Sequence, residues 1–97
     1  MFVVSLSYIC DIAEVDKHLE AHIAYIDKYF ANGVFLASGR KVPRTGGVIL
    51  VNANSLPAVQ AIVEEDPFFT AKVAAFEITE FIATRTSAEL SILKQYV

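Results

Sequence analysis

Two hydrophobic periods alternate along this chain, and their order leaves few folds open. Phe2, Val4, Leu6 and Tyr8 alternate with Val3, Ser5, Ser7 and Ile9, the two-residue period of a strand with one oily and one mixed face. From Glu14 to about Asn32 the period lengthens to that of a helix. Val15, Leu19, Ile23, Ile26, Tyr29 and Phe30 fall on one stripe, with Asp16, Lys17, Glu20, Asp27 and Lys28 opposite. Asp11, ahead of Glu14, fits an acidic capping box, and Asn32-Gly33 fits a left-handed helix stop. Short apolar strands follow at 34–38 and 47–51, separated by a glycine- and cation-rich loop at 39–46. Asn54-Ser55 and Pro57 open a second helix carrying Leu56, Val59, Ile62 and Val63. Asp66-Pro67 closes it, because proline drives the preceding residue out of the α conformation. Residues 73–83 form a last strand. Thr86 with Glu89 then opens a terminal helix over 87–97, with Leu90, Leu93 and Val97 on one side.

The resulting order, β-α-β-β-α-β plus a terminal helix, is the ferredoxin-like split pattern of the α+β class. It predicts one domain over 1–97, with a core of about 1–84 and a C-terminal helix of about 87–97. Two helices cover one face of an antiparallel sheet and leave the other open. The chain is 55% hydrophobic with glycine excluded, whereas soluble domains reach about 45–50% with glycine included. That excess points to a homodimer that buries the open face. The net charge of −3 and the lack of a basic cluster argue against nucleic acid. No apolar run approaches the roughly 20 residues of a membrane span. The first apolar run lacks a basic leader, so it is not read as a signal peptide, and a cytoplasmic location is the expectation. Neither a Gly-x-Gly-x-x-Gly nor a P-loop is present, so no cofactor is expected.

His22 breaks the pattern. It lies near the middle of the apolar stripe, between Val15, Leu19 and Ile26. A polar ring directed at a core needs a partner, since an unpaired one costs free energy. His18 and His22 have a spacing that can chelate a metal, but no second ligand-rich segment exists, and no metal is expected. Ser38, at the end of the second strand, is a candidate third polar group, with Gly39 beside it. Arg44, with Arg40 and Lys41, makes the most positive point of an acidic chain and is suited to an anionic or enolate substrate. Tyr8 and Phe68 are candidates to line an aromatic pocket. The alternatives are ordinary: a structural core histidine, solvated loop cations and plain core aromatics.

The position of His22, the stretch Leu36-Ala37-Ser38-Gly39, the run Pro43-Arg44-Thr45-Gly46-Gly47 and Asp66-Pro67-Phe68 occur in this order within residues 1–84. Together they resemble the YciI-like (YCII-related) family. The resemblance implies a dimeric α/β-barrel of ferredoxin-like subunits, related in shape to muconolactone isomerases. It also implies a pocket histidine–aspartate pair, here His22 and Asp66. A dehydrochlorinase acting on a chlorinated hydroxyquinone is one activity linked to the family. Arg40 stands where the family's Ser-Gly-Pro pattern has proline. A carboxylate bonded to one ring nitrogen fixes the tautomer and leaves the other nitrogen to take a proton. The expected function is therefore a small enzyme using His22, Asp66 and Ser38 for acid–base chemistry: elimination, isomerisation or hydrolysis of a compact substrate. The alternative is a non-catalytic ligand-binding or oligomerisation module. A His22–Asp66 hydrogen bond near 2.7–3.2 Å is the first geometric expectation.

Overall fold

Alternation in the first strand decides which side of the molecule is inside. In β1 (Phe2–Tyr8), Phe2, Val4 and Leu6 are buried, Val3 and Ser5 are half-buried and Ser7 is exposed. The computed structural model describes residues 1–96. It places β1 beside β3 (Gly46–Val51) and β4 (Ala74–Glu80), with β2 (Phe35–Arg40) on the far side of β3. The order is β2-β3-β1-β4 and every neighbouring pair is antiparallel. This is the ferredoxin-like arrangement.

Four helices supply the residues that pack on the inner face: α1 (Ile12–Asp16), α2 (Leu19–Ala31), α3 (Leu56–Val63) and α4 (Pro67–Thr70). Tyr25 and Tyr29 of α2 and Val59 and Val63 of α3 join Phe2, Val4, Phe35, Ile49 and Val51 in one apolar cluster. Val15 of α1 and Phe68 of α4 join Leu6, Val73 and Ala74 in a second.

The single first helix expected from periodicity is two helices. The chain breaks at Lys17-His18, and α1 sends the fully buried Val15 into the second cluster while α2 serves the first. Tyr25 and Tyr29 are the buried residues of α2; Ile23 and Phe30 lie at its exposed margin, and Leu19 and Ile26 are half-buried. Asp11 starts α1 without closing a capping box, because Glu14 is engaged by Lys17 at 2.7 Å. Gly33 stops α2 as expected. Its φ is +80°, and the N–H groups of Gly33 and Val34 return to the carbonyls of Phe30 and Tyr29 in a Schellman motif.

Three further boundaries differ from expectation. Gly39 and Arg40 belong to β2 rather than to the loop, since β2 pairs with β3 as far as Arg40–Gly47. Asp66-Pro67 ends one helix and starts another, α4. The terminal segment is a 3₁₀ helix (Ala88–Leu93) with no buried residue, and Ser87 caps it without a side-chain bond. A helix this short is marginal in water, and only Leu93 in it is half-buried. Its chain is tied down instead by Gln95, whose N–H donates to the Ala83 carbonyl at 2.8 Å and whose Oε1 accepts from the Ala83 N–H at 2.9 Å. Val97 lies outside the described residues.

The open face is mixed rather than oily. Register places Val3 between Leu50 and Thr79, and Ser5 between Val48 and Glu77. Gly46 is required where β1 and β3 meet: a Cβ there would lie 1.9 Å from the Leu6 carbonyl oxygen.

Candidate active site

Asp66 is placed by the Pro67 constraint. Its backbone is extended (φ −65°, ψ 126°), and it stands as the N-cap of α4. Its Oδ1 accepts the Phe68 N–H at 2.9 Å and lies 2.8 Å from Nδ1 of His22, which comes from the first turns of α2. The carboxylate is fully buried, and Oδ2 has no partner among the described residues. An unpaired buried carboxylate oxygen is a destabilising feature. The His22 ring lies flat on Phe68, with centroids 3.9 Å apart and planes 4° from parallel; Tyr8 meets Phe68 edge-on at 6.1 Å. These contacts hold the imidazole in one plane. With Nδ1 committed to Asp66, Nε2 makes no hydrogen bond among the described residues and is the nitrogen available to a ligand. Burial, reinforced by the charge of Asp66, pushes the Tyr25 phenol well above its ordinary range, and its hydroxyl donates to the Ile62 carbonyl at 2.8 Å. Tyr25 is therefore a neutral wall beside the pair.

His22 opens on a cavity of about 190 Å³. Leu6, Leu19, Ile23, Ile26 and Ile49 supply apolar walls, and Phe68 and Tyr8 supply aromatic ones. Its polar side chains besides His22 are Ser38 and Arg40, both from β2. A β-bulge explains their presence. From Phe35 to Ala37 the second strand advances two residues while β3 advances one, from Val51 to Leu50. The extra residue reverses the alternation. Phe35 faces the core, and after the bulge it is Ser38 and Arg40, not Ala37 and Gly39, that share the face of Ile49 and Gly47.

Of the residues singled out from sequence, His22, Ser38, Gly39, Phe68 and Tyr8 line the cavity, and Asp66 sits buried behind His22. Arg44 is not among the lining residues. Its Nη2 donates to Asp16 Oδ1 at 2.6 Å, and its guanidinium lies 5.8 Å from the centre of the Tyr8 ring, so it ties the β2–β3 hairpin to α1. Arg40, expected from the sequence as a member of the cationic cluster and as the residue at the family's proline position, is the one of the three cations that lines the cavity. Its strand position was hidden by the glycine beside it. The start of α4 was signalled by Asp-Pro, a helix-opening pair as well as a closing one.

The profile of the YCII-related domain matches residues 1–82. The chain belongs to the YCII-related family. A comparison with curated proteins gives no match. Among solved structures, this YCII-related chain is similar to the 5-chloro-2-hydroxyhydroquinone dehydrochlorinase of Burkholderia phenoliruptrix, determined in complex with 2,5-dihydroxybenzoquinone. The two share 22% identity over 82% of this chain and 91% of that one, with a TM-score of 0.72. At that identity the likeness speaks for the ferredoxin-like fold. No three metal-ligating side chains gather among the described residues, and no helix there is long and apolar enough to cross a membrane.

Proposed function

We propose that this protein is a cofactor-independent proton-transfer enzyme acting on a small, ring-sized substrate, with His22 as the base and Asp66 as its positioning partner. The observation that carries the reading is the buried carboxylate bonded to Nδ1 of a histidine whose Nε2 is available at an apolar cavity. Asp66 fixes the ring tautomer and stabilises the imidazolium once Nε2 has taken a proton. In an elimination, Nε2 removes a substrate proton, the released electron pair becomes the new π bond, and the leaving group departs with its own pair. The dehydrochlorinase neighbour supports this class: there the group lost would be chloride. Ser38, on the cavity side of β2, is suited to hold a substrate oxygen, while Phe68 and Tyr8 flank the ring. An interaction domain without chemistry has little reason to retain an orphaned carboxylate oxygen.

A homodimer is part of the proposal. The radius of gyration is 13.9 Å, against about 12.5 Å for a compact domain of this length. The accessible surface is 6126 Å², against roughly 5,500 Å² for a monomer of this mass. Val3, Val48 and Leu50 on the open face, and Phe81, Ile82 and Ile92 in the chain beyond β4, are the apolar residues a second copy would cover.

The test is chloride release from 5-chloro-2-hydroxyhydroquinone, followed by ion chromatography. The expected result is release above the buffer rate, reduced about 10²–10⁴-fold in His22→Ala. A His22→Ala protein that retains its fold by circular dichroism and releases chloride as fast as the wild type overturns the assignment.

A further inference from the structure

The three cations near the hairpin have different fates. Arg44 is spent on Asp16, and Lys41 donates to Ser7 Oγ at 3.0 Å. Arg40 makes no side-chain hydrogen bond and no ion pair among the described residues, yet it is the one that lines the cavity. The bulge at Leu36 delivers it there, on the same strand face as Ser38. Residues two apart on one strand face are separated by about 6.8 Å, so the hydroxyl and the guanidinium form a row of donors along one wall. No carboxylate within ion-pair distance neutralises that wall. A guanidinium is a planar, five-donor cation suited to an oxyanion. The remaining walls are apolar or aromatic, and a cavity of about 150 Å³ already accepts a benzene ring; this one, about 190 Å³, has room for one ring and a substituent.

We infer that Arg40 makes this cavity selective for an oxyanion carried on a single planar ring, with Arg40 holding the charged oxygen and His22 facing another position of the same ring. The inference rests on the cavity being the substrate site, as proposed above, but it is a statement about charge and is tested by binding rather than turnover. Arg40 is solvent-exposed, so the charge-assisted bond is worth less than a buried one. The expected discrimination is therefore about tenfold.

Benzoate and benzamide are the probes, matched in shape and different in charge. Each is titrated into the intact protein while the ring-proton resonances of His22 are followed by nuclear magnetic resonance. The wild type is expected to bind benzoate about tenfold more tightly than benzamide, with the preference shrinking as ionic strength rises. Arg40→Gln removes the preference and leaves benzamide affinity unchanged, Arg40→Lys keeps most of it, and Arg44→Gln keeps all of it. Equal affinities in the wild type, a preference that survives Arg40→Gln, or no benzoate binding at all overturns the inference. Chloride release that still depends on His22 in that case leaves the proton-transfer reading standing, so the two fail separately.

Discussion

Asp66 is the one fully buried charged side chain among the described residues. One oxygen serves the Phe68 N–H and His22 together, so the same atom caps α4 and orients the ring. Removing it leaves a buried N–H and an unpaired imidazole. Asp66→Ala is expected to cost about 1–3 kcal/mol, the range for leaving a buried donor unsatisfied, measured by urea denaturation. Asp66→Asn preserves an acceptor for the Phe68 N–H and is expected to retain more than half of that stability, because the cap survives when the charge does not. Equal losses in the two variants would mean that the charge on the His22 side, not the cap, dominates.

At the level of elements, α2 is held to the turn after α3 by a polar cluster at its outer edge. Glu65 accepts from Lys28 at 2.9 Å through one oxygen and from the Tyr29 hydroxyl at 2.5 Å through the other. The Tyr29 bond, then Lys28, hold the Glu65 carboxyl below its ordinary range. A carboxylate with a lowered folded pKa stabilises the protein above its unfolded value, and that contribution disappears as pH falls through the folded value. The melting temperature of the wild type is therefore expected to exceed that of Glu65→Gln at neutral pH, with the gap closing below the ordinary glutamate range. A gap independent of pH would remove the ionic contribution. Just past the same C-terminal end of α2, Gly33→Ala places a Cβ at φ +80° and is expected to cost about 1–2 kcal/mol in thermal melts.

For the whole molecule, the question is what covers the open sheet face. The observed register mixes Val3, Val48 and Leu50 with Ser5, Glu77 and Thr79 on it. A two-fold interface of standard size removes about 1,600 Å² from water in total. A face this mixed contributes less apolar transfer than a core of equal area, and lost rigid-body freedom offsets part of it. The chain after β4, with Ile92 92% exposed, is the more apolar part of the proposed contact. Sedimentation equilibrium at low micromolar concentration is expected to return a dimer, and Leu50→Asp or Ile92→Asp to shift it toward monomer. A wild type that remains monomeric at high concentration overturns the dimer.

Local sequence signals determined what depends on near neighbours. Strand alternation fixed the inner face of β1, glycine after asparagine fixed the end of α2, and Asp-Pro turned Asp66 out of α3, because each rests on backbone sterics within a few residues. The position of His22 on an apolar stripe and its family-implied pairing with Asp66 were likewise legible in the sequence, and the two side chains lie 2.8 Å apart. Tertiary structure alone decided the rest. The break at Lys17-His18 serves two apolar clusters that only the folded chain defines. The partnership of Arg44 with Asp16 spans distant segments that no periodicity relates. Above all, the bulge at Leu36 exchanges the faces of β2: counted from Phe35, alternation sends Arg40 away from the helices, and pairing with β3 brings it to the cavity instead. A one-residue slip reverses every later side chain in a strand, and it is set by the partner strand rather than by the strand's own residues.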